Sequence, residues 1–496
     1  MLNALKNATN YTRTENGALT HKTTRSDLLD MFAMGAAMRS RTDGDIMLMF
    51  RKAFSENPVY ALKCLFYIRD IRGGQGERRF FRVVLKDMAT QSGMREAAKR
   101  NMENIAEYGR WDDLYAFVGT PLEAEAFALI KKQLALDVQC KTPSLLAKWL
   151  KSENASSKET IRLGNITRKY LGMTHKEYRK VLGILRTRIN IVEKLMSENR
   201  WDEIEFDKIP SKAGLIYKNA FARRDIIKAK YEKFAKDENT KVNAGALYPY
   251  EVVEKAMRAA SQRRDNADRL MVNKYWANLT DYFNGSNLNA LAMVDTSGSM
   301  MGTPMNVAIS LGMYCAEKAG GPFANHYISF SSRPQLIEVE GIDFCDKVER
   351  IRRTNLCQNT NIEAAFDMLL NTALANNVPQ EDMPQNIVVI SDMEFDEATS
   401  NSMSWHSNNV SRMNSRNAET LLEGIAKEWA REGYDMPHLI FWNVDARQAN
   451  IPMIGNGRVS YVSGFSPSIF QTIMTGKTGY DLMMECLNGE RYAAIQ

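Results

Sequence analysis

Asn289-Ala290-Leu291-Ala292-Met293-Val294-Asp295-Thr296-Ser297-Gly298-Ser299 decides the fold class of this chain. Ala290 to Val294 is an unbroken apolar run of strand length, and the turn after it carries one carboxylate and two hydroxyls. A short apolar run closed by turn residues reads as a strand buried on both faces, as in parallel sheets. Downstream the pattern alternates. Pro304 to Ala319 reads as a helix, His326–Ser331 and Gln335–Val339 as strands, and Asp343–Ile351 and Asn361–Leu374 as helices. Asn386–Ile390 is a second buried-strand run, leading into Ser391-Asp392. A helix near Arg416–Arg431, strands at Leu439–Val444 and Val459–Val462, and a terminal helix complete the series. Such alternation specifies a doubly wound, Rossmann-like α/β sheet over residues 281–496. Ligands of these sheets bind at the carboxyl ends of the strands. Asp295 and Asp392 each fall just past such an end, and the Ser- and Asn-rich stretch 399–417 reads as an exposed loop on the same rim.

Upstream, residues 1–280 read as helix after helix. Pro58 suits a helix start, and its apolar run ends in the turn Arg72-Gly73-Gly74-Gln75-Gly76. Glu77–Met88 resumes a helical pattern, and Arg110-Trp111-Asp112-Asp113-Leu114 reads as a turn entering a short helix, with Asp112 as its cap. Thr174-x-x-Glu177 is a capping box opening a long helix to about Lys194. Val181, Leu185, Ile189 and Val192 share one of its faces, with Lys176, Arg179 and Lys180 largely off it. No strict period appears, but antiparallel helical hairpins of drifting similarity, as in HEAT-type repeats, fit this pattern. The sequence leaves open whether they close into a ring.

The length of 496 residues exceeds one compact core. Its 44% hydrophobic and 25% charged residues are ordinary globular usage. No apolar run approaches the roughly 20 residues that span a bilayer, and the first residues have no secretory h-region. Six scattered cysteines (64, 140, 315, 345, 357, 486) contain no C-x-x-C pair, against a zinc site or a disulfide scaffold and in keeping with a reducing cytoplasm. The net charge of +6 hides a split. Residues 1–280 carry 51 Lys+Arg against 34 Asp+Glu, and the remainder 14 against 25. The first part is therefore at +17 and the second at −11. A basic half attracts polyanions, RNA or DNA above all, unless the two halves neutralise each other across an interface.

The Asp-x-Ser-x-Ser turn is the element that carries chemistry. Hard divalent cations take oxygen ligands, and Mg²⁺ keeps near-octahedral geometry with some water. Asp295, Ser297 and Ser299 supply three positions, Thr360 a fourth from the loop Cys357-Gln358-Asn359-Thr360-Asn361, and Asp392 completes the set through water. One position stays open for a carboxylate or phosphate. These five residues, in this order on an α/β pattern, resemble the metal-ion-dependent adhesion site of von Willebrand factor A domains, which implies Mg²⁺ or another divalent cation such as Mn²⁺. A serine hydrolase is disfavoured, because no histidine base is evident and G-x-S-x-G is absent.

A second resemblance lies in the helical half. Asp70-Ile71-Arg72-Gly73-Gly74-Gln75-Gly76-Glu77-Arg78-Arg79 and Tyr108-Gly109-Arg110-Trp111-Asp112-Asp113-Leu114 resemble the turns of TROVE modules, found in the Ro autoantigen and in telomerase- and vault-associated proteins. Asn16 to Phe32, Leu291 to Met300 and Gly321-Pro322-Phe323 are similar to a Ro-like family, with Arg25 standing where a small residue is expected. The resemblance implies a basic helical ring that binds structured or misfolded non-coding RNA with single-stranded ends, without catalysis. The cations expected to touch RNA are Arg72, Arg78, Arg79 and Arg82, then Lys176, Arg179 and Lys180, then Arg168 and Lys169, arginine being suited to phosphate by its planar fork.

Tyr108 and Trp111 are expected to pack between helical hairpins, and the 28 Met residues to fill cores. No two of the five histidines show ligand spacing; His406 is a candidate for partner contact, and Cys357 lies near Thr360. The reading is thus a cytoplasmic RNA-binding protein whose metal site holds an acidic protein partner. Its alternative is a protein-interaction scaffold without nucleic acid. A metal-dependent nuclease or phosphatase is a distant third, because it lacks a second carboxylate cluster.

Overall fold

The structure is a computed structural model that describes residues 9–189, 191–285, 288–330, 333–353, 360–397, 420–454, 458–473 and 476–496. Cys357, His406 and the 399–417 stretch lie outside the described residues. Six strands form one sheet: β3 (Ala290–Asp295), β4 (His326–Phe330), β5 (Gln335–Glu338), β6 (Asn386–Ser391), β7 (His438–Asn443) and β8 (Val459–Ser463). Their order is β5-β4-β3-β6-β7-β8, all pairs parallel except β4 with β5. β3 is buried throughout, and β6 and β7 are buried from their second residue on, as strands covered on both faces must be. The helix Thr303–Lys318 packs on β3, β4 and β6, and Gly312 permits its close approach, because a Cβ there would run into Val294. Chain order reverses between β3 and β6, the switch point at which open α/β sheets place their ligands.

The basic half is helical, with one addition. A two-stranded hairpin, β1 (Tyr11–Arg13) with β2 (Leu19–His21), precedes the first described long helix. Asn57 caps the helix Pro58–Arg69 by accepting from Tyr60 N, with proline in the first turn where its missing N–H costs nothing. The Thr174/Glu177 capping box is present, but the helix it opens ends at Arg188. Ile191 is extended and starts a separate helix, Val192–Ser197. The short turn of helix at Trp111–Phe117 is closed by Asp113, which accepts from Arg110 N at 3.0 Å, and not by Asp112.

Both ends of the basic half rest on the α/β half. The helix Asp27–Met34 lies against β7 and β8, while Pro249–Ala259 and Ala267–Ala277 lie against Thr303–Lys318 and Phe344–Arg353. At that second contact Trp276 stacks on Phe344 at 4.1 Å, and Arg269 is held by Asp343 and Asp346. The Gly-rich turn is the joint between the two ends. Ser466 N donates to Gln75 Oε1 (3.1 Å), Ser468 Oγ to Gly74 O (3.2 Å) and Tyr248 OH to Gln75 O (3.1 Å). Asp70, fully buried, accepts from Arg491 Nη2 at 2.6 Å and Tyr492 OH at 3.0 Å. Gly74 and Gly76 are required by crowding: a Cβ would strike the Tyr67 carbonyl at one and the Tyr248 hydroxyl at the other. Tyr108 is buried, edge-on to Phe66 of the helix Pro58–Arg69 at 5.2 Å, and its ring also stacks on Tyr492 at 5.7 Å. Arg25, the departure from the family pattern, sits at φ +76 with its N–H bonded to Thr23 Oγ1, a backbone position that small residues hold more easily. Among the described residues, no helix is long and apolar enough to cross a membrane.

Candidate functional site

The register that pairs Val294 with Ile390 brings the ends of β3 and β6 side by side. Ser391 Oγ donates to Asp295 Oδ2 at 2.6 Å and accepts from Met393 N at 2.9 Å. Asp295 Oδ1 accepts from Ser297 N at 2.9 Å, which folds the Asp-x-Ser-x-Ser turn back over the strand end. The hydroxyls of Ser297 and Ser299 are 2.9 Å apart. Adjacent ligands of an octahedral ion with Mg–O near 2.0–2.1 Å stand about 2.9 Å apart, so the two oxygens already have the spacing of neighbouring ligands. Asp392 accepts from Glu394 N at 3.1 Å, and the chain turns there through Met393 in the left-handed region, φ +66. Thr360, buried, joins the rim through Asn16, whose amide donates to Thr360 Oγ1 at 3.4 Å and to Glu394 O at 2.6 Å. Burial, and then the charge of Asp392, holds the Asp295 carboxyl well above the usual carboxylate range, against hydrogen bonds from Ser391 and Ser297. Two crowded carboxylates and three hydroxyls suit a hard dication. Among the described residues no cluster of three or more His, Cys, Asp or Glu side chains has metal-holding geometry, so any such ion rests on the serines and the threonine as much as on acids.

Three side chains at this rim escaped the sequence reading. Glu394 is buried and pushed up to about 7, by burial first and by the charges of Asp392 and Glu15 after it, while Asn450 Nδ2 donates to it at 2.8 Å. Arg447 donates through Nη2 to Asp392 Oδ2 at 2.6 Å and pairs through Nη1 with Glu15 at 3.0 Å. Glu15 comes from the turn of the β1–β2 hairpin, more than 370 positions before Asp392, and no local pattern announces such a contact. Arg447 did leave a signal: it follows β7 by four residues, at the carboxyl rim where ligand-facing residues gather.

The nine singled-out cations are placed unevenly. Arg79 donates to the carbonyls of Arg39 (3.2 Å) and Arg41 (2.7 Å) and pairs with Asp43, while Arg82 lies between Asp112 (3.0 Å) and Asp113 (2.6 Å). Both guanidiniums hold the helical half together. Arg168 pairs with Glu153 at 2.9 Å, and Arg72 with Glu107 at 2.9 Å on the surface. Arg78 is exposed, and partial desolvation of its guanidinium, followed by the charges of Arg110, Arg82 and Arg69, lowers its pKa. Lys169, Lys176, Arg179 and Lys180 are exposed, and among the described residues none of them pairs with a carboxylate. Lys176, Arg179 and Lys180 stand at i, i+3 and i+4 on one helix face. Beside them opens a cleft of about 520 Å³ whose charged lining is Lys148, Arg179, Arg186 and Lys194 with Glu153 and Glu193, Glu193 standing 3.7 Å from Lys148. Among the described residues the Arg186 guanidinium there donates to neutral acceptors: Ala147 O (2.8 Å), Leu150 O (2.9 Å) and Ser152 Oγ (3.0 Å).

The fold and rim define a helical-repeat protein carrying a doubly wound α/β domain. The family described as "Domain of unknown function (DUF2828)" is matched over residues 14–144 and 131–286, together more than half of the chain, and the chain belongs to it. Residues 289–491 match a second "Domain of unknown function (DUF7788)". Uncharacterized protein L728 of Acanthamoeba polyphaga mimivirus is 28% identical over 515 residues, covering 94% of this chain and 85% of the relative. A solved structure, that of the RO (RSR) protein of Deinococcus radiodurans, is similar at a TM-score of 0.40 and 14% identity over 93% of each chain.

Proposed function

We propose that this chain is a non-catalytic RNA-binding protein of the Ro-like kind, which takes structured or misfolded RNA through its basic helical half and an acidic protein partner at its α/β rim. The observation that carries the RNA reading is the set Lys169, Lys176, Arg179 and Lys180, exposed and, among the described residues, each without a carboxylate partner, beside a cleft where Lys148, Arg186 and Lys194 outnumber Glu153 and Glu193. Unpaired surface cations in a row neutralise successive phosphates and release counterions, giving affinity that depends on salt and little on sequence. Interface neutralisation absorbs only part of the basic surplus. Arg13, Arg264 and Arg269 reach acidic-half carboxylates, but Arg447 and Arg491 run the other way, to Glu15 and Asp70. At the rim, Asp295, Ser297, Ser299 and Thr360, with Asp392 through water, would hold Mg²⁺ or Mn²⁺. The chemistry such an ion supplies is one open position for a carboxylate.

The test is fluorescence anisotropy of the full chain with a hairpin RNA bearing a single-stranded 3′ tail, across a salt series. Lys176→Glu/Arg179→Glu/Lys180→Glu is expected to weaken binding by roughly 10- to 100-fold and to lower the salt slope by about 2. Tight binding that ignores the triple variant moves the RNA surface elsewhere. No binding at low salt by the folded full chain favours the scaffold without nucleic acid.

A further inference from the structure

The turn between β1 and β2 is fastened to the rim at every residue from Thr14 to Gly17. Thr14 Oγ1 donates to Phe395 O (2.6 Å), Glu15 N to Glu394 Oε2 (2.7 Å), and Asn16 Nδ2 to Glu394 O and Thr360 Oγ1. Glu397 N donates to Asn16 O at 3.1 Å, Gly17 bridges to Asp396, and Arg13 pairs with Glu397 at 3.0 Å. The turn therefore touches one proposed ligand, Thr360, and ends in a carboxylate that shares a guanidinium with another, Asp392. Arg447 supplies that link: its two terminal nitrogens hold Glu15 and Asp392, while Gln448 donates to the other oxygen of Glu15 at 3.3 Å. The grip is incomplete, because among the described residues the buried Arg447 Nε–H has no acceptor. An unpaired buried donor raises the free energy of this arrangement and favours any state that lets the guanidinium swing away.

We infer that the partner of the candidate cation site in the free protein is the chain's own N-terminal hairpin, held there by Arg447, and that a divalent cation and Arg447 are alternative counter-charges for Asp392. The inference rests on the metal reading proposed above and names what that site does without its ion. Cation entry displaces a positive guanidinium from Asp392, Glu15 loses its tie, and the hairpin turn loosens from residues 394–397. An acidic partner then meets a rim no longer covered by Glu15 and Asn16. The coupling is reciprocal, as linkage requires: whatever loosens the hairpin tightens the ion, and the reverse.

Mn²⁺ binding to the full chain, read by the loss of the free-ion electron paramagnetic resonance signal, tests the exchange together with amide hydrogen exchange at residues 11–21. Arg447→Gln is expected to bind Mn²⁺ about tenfold tighter or more, since a cation close to the ion is removed in a low-dielectric rim. Wild type should show faster exchange at residues 11–21 when Mn²⁺ is added. In Arg447→Gln that exchange should be fast with or without the ion. Glu15→Gln, on an exposed turn residue, covers the case in which Arg447→Gln does not fold, and should speed exchange at 11–21 without the ion. Mn²⁺ affinity within twofold of wild type in Arg447→Gln, or hairpin exchange that ignores bound Mn²⁺, overturns the inference while leaving the metal site standing. Mn²⁺ binding by neither protein, or equal binding by Asp295→Asn, defeats the metal reading and the inference with it.

Discussion

Asp70→Asn tests whether the Gly-rich turn is a joint between the two ends of the chain. Asp70 is fully buried and accepts from Arg491 Nη2 (2.6 Å), Tyr492 OH (3.0 Å) and Arg72 N (3.0 Å). Asparagine keeps the volume, removes the charge, and replaces one acceptor oxygen with an amide that faces donors. Removing one partner of a buried pair costs roughly 3–5 kcal/mol, because the other charge is left uncompensated. Arg491 is 31% exposed and Glu107 lies 3.8 Å from it, so solvent and a second carboxylate recover part of that. The expected loss is about 2–3 kcal/mol, at or just below the bottom of that range. Because two packed units need not unfold together, the assay is amide exchange at residues 66–76 and 489–496, where the joint opens locally. Opening should become roughly 30- to 150-fold more frequent. Asp70→Asn/Arg491→Met, with no buried charge left, should recover at least about 1 kcal/mol of the loss relative to additive effects. Protection unchanged within about threefold in Asp70→Asn, or strict additivity in the double variant, would refute the reasoning.

Further outcomes follow from the same contacts. Asp295→Ala should abolish Mn²⁺ binding and leave RNA affinity within a factor of a few, measured by anisotropy; a collapse of RNA binding in a folded sample would merge the two proposed sites into one. Arg78→Ala should lower the salt slope of RNA binding by about 0.7–0.9, whereas Arg82→Ala should instead reduce thermal stability, since it strips Asp112 and Asp113 of a shared partner. Burial lowers the pKa of His438 to about 4, and its ring nitrogens lie 3.2 Å from Asn386 Oδ1 and 3.0 Å from Ser460 Oγ. The unfolded chain takes this proton near pH 6.5, so the stability His438 supplies is whole above that value and falls toward pH 4, by at most about 1.4 kcal/mol per unit. Urea midpoints of His438→Gln at pH 7 and 4.5 should therefore differ less than those of wild type, and equal differences would place the acid sensitivity in other groups.

Much of this protein is local, and local features are legible. The apolar runs that became β3, β6 and β7 stand out because a strand covered on both faces has no polar side to confuse the pattern. Asn57-Pro58 and Thr174-x-x-Glu177 mark helix starts because a cap is built by residues three apart. Asp295, Ser297 and Ser299 lie at one strand end and its turn, and Asp392 directly follows a neighbouring strand, so their rim follows from topology alone. What the sequence could not settle is which charges find each other at a distance. Arg79 and Arg82 look like their exposed neighbour Arg78 along the chain, yet folding pairs them, half-buried, with Asp43 and with Asp112 and Asp113. The Gly-rich turn has the composition of a surface loop, yet Gly74 and Gln75 are buried in a joint, because Tyr248, Ser466 and Arg491 reach it from 173 to 421 positions away. Glu15, Arg447 and Asp392 belong to three separate segments, and one guanidinium joins them only in the folded chain. Hydrophobic period and capping act over a few residues and are written in order. Charge pairing acts through space, between groups whose separation in sequence carries no information about it.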